Sequence, residues 1–544
     1  MKARPFLAVL LALVLVVFGL GLGGWWLVWQ RSALRLQRLP LGIPRAARFV
    51  PREAPLSLYL FSDGDQPVDY ARAVAPPRQR RQAAEAVARL RDGAFAAAGL
   101  DYDGELRSWL AAPVGLALFE PPPSPGGPAG SAAAAAPSRG GWLLALGSRD
   151  DDGARRFLQR FWQTRSLAGT DLQISTYRGM GLISGQGALL GRSPMPLATA
   201  LVDDDLVLIA SGRGVLEQAL DVSQIAELNQ AGQPSFQDGL RRLGSGAALL
   251  QAGPAALERW LGLPLPVGAD QRPGDLLVAL RPEGRGLRLN GLLGLPPETV
   301  LPVVGADAGL GRELLEGLRG PAASLALVQD PAAVATIPLL QPLLSRMVGG
   351  DGSAGPLPAL VRASAAGPLL AASTGEQWLL GTAADRPDAA VVEAALADQG
   401  LIAAPLEVDG HPLRVWTRLQ AGSGRRDGKP EQLQAPLAGW RWQRDDQAWW
   451  GESLGQLERF DGPLRKGGRR PQEQLEALAG PDATLQWALE GPRARSLLAA
   501  WQPWQRLTAL AGGSLSDPVE GLALALKGEP DGLVVQGRLD FGAP

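Results

Sequence analysis

The sequence predicts an α+β protein: a tandem duplication of one antiparallel-sheet-plus-helices unit behind an N-terminal transmembrane helix. Three observations predict it. Residues 6–28 form an apolar run without a charge. Four sequence blocks recur downstream in the same order, at offsets of 236, 241, 238 and 246 residues. Period-two strand patterns alternate with helical stretches, which favours hairpins and helices over a doubly wound sheet.

The elements follow in chain order. Residues 1–5 are a short tail carrying Lys2 and Arg4, and the 23 residues of 6–28 are enough to span a bilayer with some tilt. Trp25, Trp26 and Trp29 cluster at the far end, where indole rings favour the headgroup layer. A cleaved signal peptide is the rival reading, but its apolar core would be shorter and Trp-Trp-Leu-Val-Trp-Gln-Arg is a poor cleavage site. Gly19 and Gly23 form a small-xxx-small pair, a candidate helix-dimer face for a homodimer through the span. Residues 29–48 are a juxtamembrane linker. Basic residues flank the span on both sides, so charge counting leaves the orientation open. Export is the favoured reading, with the globular part periplasmic or lumenal.

Residues 49–298 are expected to be the first repeat and residues 299–544 the second. Gly141–Gly147 is echoed by Gln377–Thr382, and Asp204–Ile209 by Asp445–Trp450. Leu249–Pro254 is echoed by Trp487–Pro492, and Gly286–Gly291 by Gly532–Gly537. Hairpins are expected at Leu276–Leu280 with Gly286–Leu293, and at Leu522–Leu526 with Leu533–Leu539. Helices are expected over Arg80–Ala98 and Ala154–Thr164, and the proline-, glycine- and alanine-rich stretch 120–140 reads as a disordered insertion.

Composition excludes several chemistries. With 53 Lys+Arg against 54 Asp+Glu in 544 residues, the net charge of −1 gives no general grip on nucleic acid. No cysteine and one histidine exclude disulfides, thiolate metal sites and multi-histidine centres. No cofactor is expected.

The catalytic motifs are literal but lack context. Gly451-Glu452-Ser453-Leu454-Gly455 matches the nucleophile elbow, yet that motif needs a later histidine, and the sole one, His411, precedes it. Gly19–Gly24 matches a dinucleotide fingerprint inside the apolar run, where none can work. None of the four lysines completes a P-loop. Asp150–Asp152 and Asp203–Asp205 lack calcium-loop spacing and read as turns. The basic run Arg465–Arg470 reads as a solvated loop. Tryptophan is the compositional oddity: 16 against four tyrosines. Trp440, Trp442 and Trp450 are the candidate interaction surface, with core filling as the competing reading.

The chain resembles a known family through a basic N-terminus, one span, then Phe49-Val50-Pro51-Arg52-Glu53-Ala54-Pro55. Gly99-Leu100-Asp101-Tyr102-Asp103, Arg107-Ser108-Trp109-Leu110 and Val202-Asp203-Asp204-Asp205-Leu206-Val207 follow. It is similar to the cyanobacterial proteins grouped as domain-of-unknown-function family 3352, although Ala111 stands where the family usually has glycine. The resemblance implies a membrane-attached protein without an assigned activity and supplies no catalytic residue. The expectation is therefore a non-enzymatic, membrane-anchored interaction or assembly factor of the cell envelope or thylakoid, with a protein partner. Two alternatives remain: a carrier of an apolar ligand, lipid or pigment, through the Trp-rich second repeat, and a serine hydrolase at Ser453.

Overall fold

The computed structural model describes residues 32–120, 140–167, 169–187, 195–259, 262, 272–296, 299, 308–318, 322–349, 355–364, 366–374, 377–421, 433–457, 460, 471–478, 483–530 and 532–542. The apolar run 6–28 with Gly19 and Gly23, most of the 120–140 insertion, and the basic run 465–470 lie outside the described residues. Among the described residues no helix is long and apolar enough to cross a membrane.

The architecture mixes helices with extensive antiparallel sheet, and the chain divides into two compact units. One comprises Met1–Leu250, Ala279–Arg285 and Leu510–Gly512; the other comprises Gln251–Val278, Gly286–Ala509 and Gly513–Pro544. Residues 251–278 and 286–298, which the sequence reading places in the first repeat, therefore group with the second unit.

In the first unit the strands are β1 (Leu56–Leu60), β2 (Leu110–Phe119), β3 (Gly141–Ser148), β4 (Leu172–Tyr177), β5 (Met180–Gly187), β6 (Met195–Val202), β7 (Leu206–Ala210) and the first three residues of β8 (Ala248–Ala252). Antiparallel ladders join β1 to β2, β2 to β3 and β3 to β7, then β7 to β6, β6 to β5 and β5 to β4. β8 lies beside β1. Every residue of β7 is buried, as its unbroken Leu-Val-Leu-Ile-Ala run requires. The helix Asp151–Leu167 covers one face because Phe157, Leu158, Phe161 and Trp162 form one stripe. They pack with Val114, Leu146, Val207 and Ile209, and the Trp162 indole donates to Thr199 Oγ1 at 2.7 Å. A second helix, Arg80–Ala97, ends within a residue of its expected limit.

After β9 (Leu276–Glu283) and β10 (Gly286–Gly294) come the strands β11 (Ser324–Val328), β12 (Leu369–Thr374), β13 (Gln377–Ala383), β14 (Leu401–Val408), β15 (His411–Arg418), β16 (Gln420–Ala421), β17 (Leu433–Gln434), β18 (Leu437–Arg444), β19 (Gln447–Gly451), β20 (Leu485–Glu490), β21 (Val519–Glu529) and β22 (Gly532–Phe541). In the second unit β20 pairs with β11, β11 with β12, β12 with β13 and β13 with β19. The ladder continues through β18 and β15 to β14, while β21, β22 and β10 extend it beyond β20. Its core gathers Leu314, Leu325, Leu379, Trp440, Trp449 and Phe460. Gly253-Pro254 and Gly491-Pro492 both stand where a strand gives way to a helix, since proline suits a first helical turn.

Candidate functional site

The three tryptophans singled out in the sequence do not form an exposed aromatic face. Trp440 and Trp450 are fully buried and Trp442 is 6% exposed. Nor do they share one side. Trp440 and Trp442 are two residues apart on β18, whereas Trp450 stands opposite Arg441, so the period-two alternation sends its ring to the other face. Trp440 and Trp442 belong to the core. Trp450 stacks on Trp416 at 5.9 Å and donates to Thr382 Oγ1 at 3.1 Å. Burial of this kind is the core-filling role of an indole whose N–H has found a partner.

Ser453 and His411 are not brought together either. Register places Leu413 opposite Trp442 and Gly451 opposite Trp440. His411 therefore sits toward the Arg444 end of β18, and Ser453 lies two residues past Gly451 at the other end, about 20 Å away along the strand direction. The glycine of the motif has a packing reason. A Cβ on Gly451 would stand 2.4 Å from the Trp440 ring. The Trp440 indole is held by donating to the Ser453 carbonyl at 2.9 Å, and the Ser453 amide donates to Gln456 Oε1 at 3.1 Å. His411 opens β15 after a two-residue Asp409-Gly410 turn, both residues at positive φ, and its ring lies 4.7 Å from Trp442.

The acidic runs are paired with arginines. Asp203 and Asp204 adopt positive φ in the β6–β7 turn, a conformation aspartate tolerates. Arg45 binds Asp203 at 3.1 Å and also Asp205, while Arg155 binds Asp204 at 2.7 Å. Among the described residues no group of three or more His, Asp or Glu is arranged to hold a metal ion.

What the sequence reading missed is a sheet edge. Among the described residues β4 has β5 as its strand partner and its other side is open. Its sequence, Leu-Gln-Ile-Ser-Thr-Tyr, contains no charge, proline or glycine. Ile174 is 80% exposed and Leu167, at the end of the covering helix, is 84% exposed. Ile174 stands opposite Ile183, which packs on the core, so it extends the apolar face into solvent. Unguarded edges of this composition template the addition of another strand. In the second unit β14, which among the described residues has β15 as its strand partner, is guarded: it carries Pro405 and Glu407. Local pattern could not by itself place either strand at an edge, because which strand ends a sheet depends on pairing order.

No curated protein matches the chain. Among solved structures it is similar to crystal form I of TP0453, at 10% identity over 46% of this chain and 78% of that one, with a TM-score of 0.26. Crystal form III of TP0453 aligns at 12% identity over 51% of this chain and 86% of that one, with a TM-score of 0.25. The match that places the chain runs over residues 9–309, more than half of its length. It is to the family model described as "Protein of unknown function (DUF3352)", and the chain belongs to that family.

Proposed function

We propose that this protein is a membrane-anchored, non-enzymatic interaction factor of the cell envelope or thylakoid, and that it receives an extended segment of a protein partner along β4. The observation that carries the reading is the open β4 edge with Ile174 projecting from it. Main-chain donors and acceptors on such an edge give affinity, and alternate side chains give specificity. The globular part is periplasmic or lumenal in this reading, with one span over residues 6–28. Burial of Trp440, Trp442 and Trp450 argues against the apolar-ligand carrier, which needs those rings to line a pocket.

The proposal includes descent of the two halves from one duplicated unit. The support is register. The sequence offsets of 236 and 241 carry Leu143 to Leu379 and Ala210 to Gly451. Leu143 is paired with Ala210, and Leu379 with Gly451. The internal strand orders β8-β1-β2-β3-β7-β6-β5-β4 and β20-β11-β12-β13-β19-β18-β15-β14 correspond throughout. The outermost hairpins correspond as well, with two-residue turns at Arg178-Gly179 and Asp409-Gly410.

Extraction of native membranes in mild detergent, followed by co-purification with the wild-type chain and with Ile174→Lys, tests the function. A partner retained by the wild type and lost by the variant is expected; equal retention by both overturns the edge as the binding site. Protease protection in sealed vesicles tests the side of the membrane.

A further inference from the structure

The first unit carries a basic surface that the proposed partner edge does not use. Helices Gln66–Val74 and Arg80–Ala97 flank an open groove of about 460 Å³. Val68, Ala84 and Ala88 form its floor, and Arg72, Arg80 and Arg81 form its rim with Glu85. Arg80 has no partner among the described residues, nor do its exposed neighbours Arg78 and Arg89. Among the described residues Arg72 pairs with Asp69 at 3.3 Å and Arg81 with Glu85 at 2.7 Å, both in solvent, where such pairs contribute little and exchange readily. Residues 66–97 hold six arginines against three acids, in a chain whose overall charge is −1.

Position gives this surface its meaning. The helix Gln66–Val74 packs on the short helix Ala33–Arg38, and Gln37 Nε2 donates to the Tyr70 hydroxyl at 2.8 Å. The linker 29–48 contains five arginines and no acid. From Val28 to Ala33 the chain spans at most about 18 Å when fully extended. The groove is thus tied, through the helix beside it, to a segment that cannot leave the neighbourhood of the headgroups.

We propose that the groove between helices Gln66–Val74 and Arg80–Ala97 docks on anionic lipid headgroups of the membrane that holds the chain. The proposal rests on the anchored reading above. The lipid phosphates meet Arg72, Arg80 and Arg81, and the apolar floor accepts the glycerol and first methylenes beneath them. An acidic protein segment has the same charge, but nothing holds one at this position as the tether holds the bilayer.

The chain has no cysteine, so Gln82→Cys in the full-length protein offers one labelling site beside the groove. An environment-sensitive fluorophore there is read in vesicles of phosphatidylcholine alone and of phosphatidylcholine with phosphatidylglycerol. A blue shift and quenching by a headgroup-attached quencher are expected only with the anionic lipid, reversed by high salt. Arg72→Gln, Arg80→Gln and Arg81→Gln each lower the docked-to-undocked ratio about fivefold, on the order of a hundredfold together. All three sites are exposed, so an unchanged circular-dichroism spectrum is expected. Identical emission in the two vesicles overturns the proposal, as does a shift that survives in the triple variant. A shift produced by polyglutamate and not by lipid assigns the groove to an acidic protein and overturns it too. A chain that floats with neither vesicle overturns the anchored reading and this proposal with it; one that floats with both and emits alike in each overturns this proposal alone.

Discussion

Replacing Gly451 by alanine separates a packing glycine from a catalytic one. The new Cβ would stand 2.4 Å from the Trp440 ring and 2.6 Å from Gln456 Oε1. Ordinary contact needs at least a further ångström or so, and neither neighbour can supply it. Trp440 is fully buried and its indole N–H is bonded to Ser453. Gln456 is 3% exposed, donates to the Trp378 carbonyl at 2.9 Å and accepts from two backbone amides. The backbone is fixed as well, since Gly451 is paired with Leu379 on one side and Trp440 on the other. Overpacking a core costs about 1–3 kcal/mol, and the lack of room to relax puts Gly451→Ala near the top of that range. For a unit of this size each kcal/mol lowers Tm by roughly 2–4 °C, so a drop of about 5–12 °C is expected in calorimetry of the full chain. The second glycine of the motif is the control. A Cβ on Gly455 meets nothing nearer than Ser453 Oγ at 3.8 Å, so Gly455→Ala should leave Tm within a degree or two. Trp440→Phe in the Gly451→Ala background should cost less than the two single changes added together, because the smaller ring vacates the clash. An unchanged Tm for Gly451→Ala, or equal effects at Gly451 and Gly455, would refute the packing explanation.

Three further outcomes are expected. Ile174→Lys should change stability by no more than about 0.5 kcal/mol, because the side chain is 80% exposed, while removing partner retention; a large Tm loss would show that Ile174 is structural. Tyr59→Phe should cost about 1–2 kcal/mol in urea unfolding, since the buried hydroxyl donates to Gln230 Oε1 at 2.6 Å and Ser57 alone would remain there. Burial raises the Asp275 carboxyl above its ordinary value, against the lowering effect of the Gln251 amide at 2.9 Å. The folded state therefore holds that proton more tightly than the unfolded chain. Its contribution is complete below the unfolded pKa and is lost as pH rises through the raised one, so Asp275→Asn should flatten Tm against pH in that window. An unaltered slope would contradict the burial argument.

Much of the architecture was legible because it is written locally. Leu56–Leu60 alternates at period two and forms β1 over those residues. The Arg80–Ala97 helix follows from a run rich in the strong helix formers alanine and arginine, and the Gly-Pro junctions carry a start signal in their proline. The interaction site was not legible in the same way. Trp440 and Trp450 look like a cluster in one dimension, but register puts them on opposite faces, and burial depends on helices from elsewhere in the chain. The openness of β4 follows from its being last in the order β3-β7-β6-β5-β4, a fact about pairing that no window of residues contains. One local signal was available: Leu172–Tyr177 lacks the charge and proline that guard Leu401–Val408.

Site-specific photo-crosslinking in native membranes tests the central claim most directly. A photoreactive residue is placed at position 174 on β4 and, in a second chain, at position 402 on β14, where Ile402 is 50% exposed. One discrete protein adduct from position 174, none from position 402, and loss of the adduct when Thr176→Pro breaks the edge are the results the account predicts. Equal labelling at the two edges, or no adduct at 174, would contradict it.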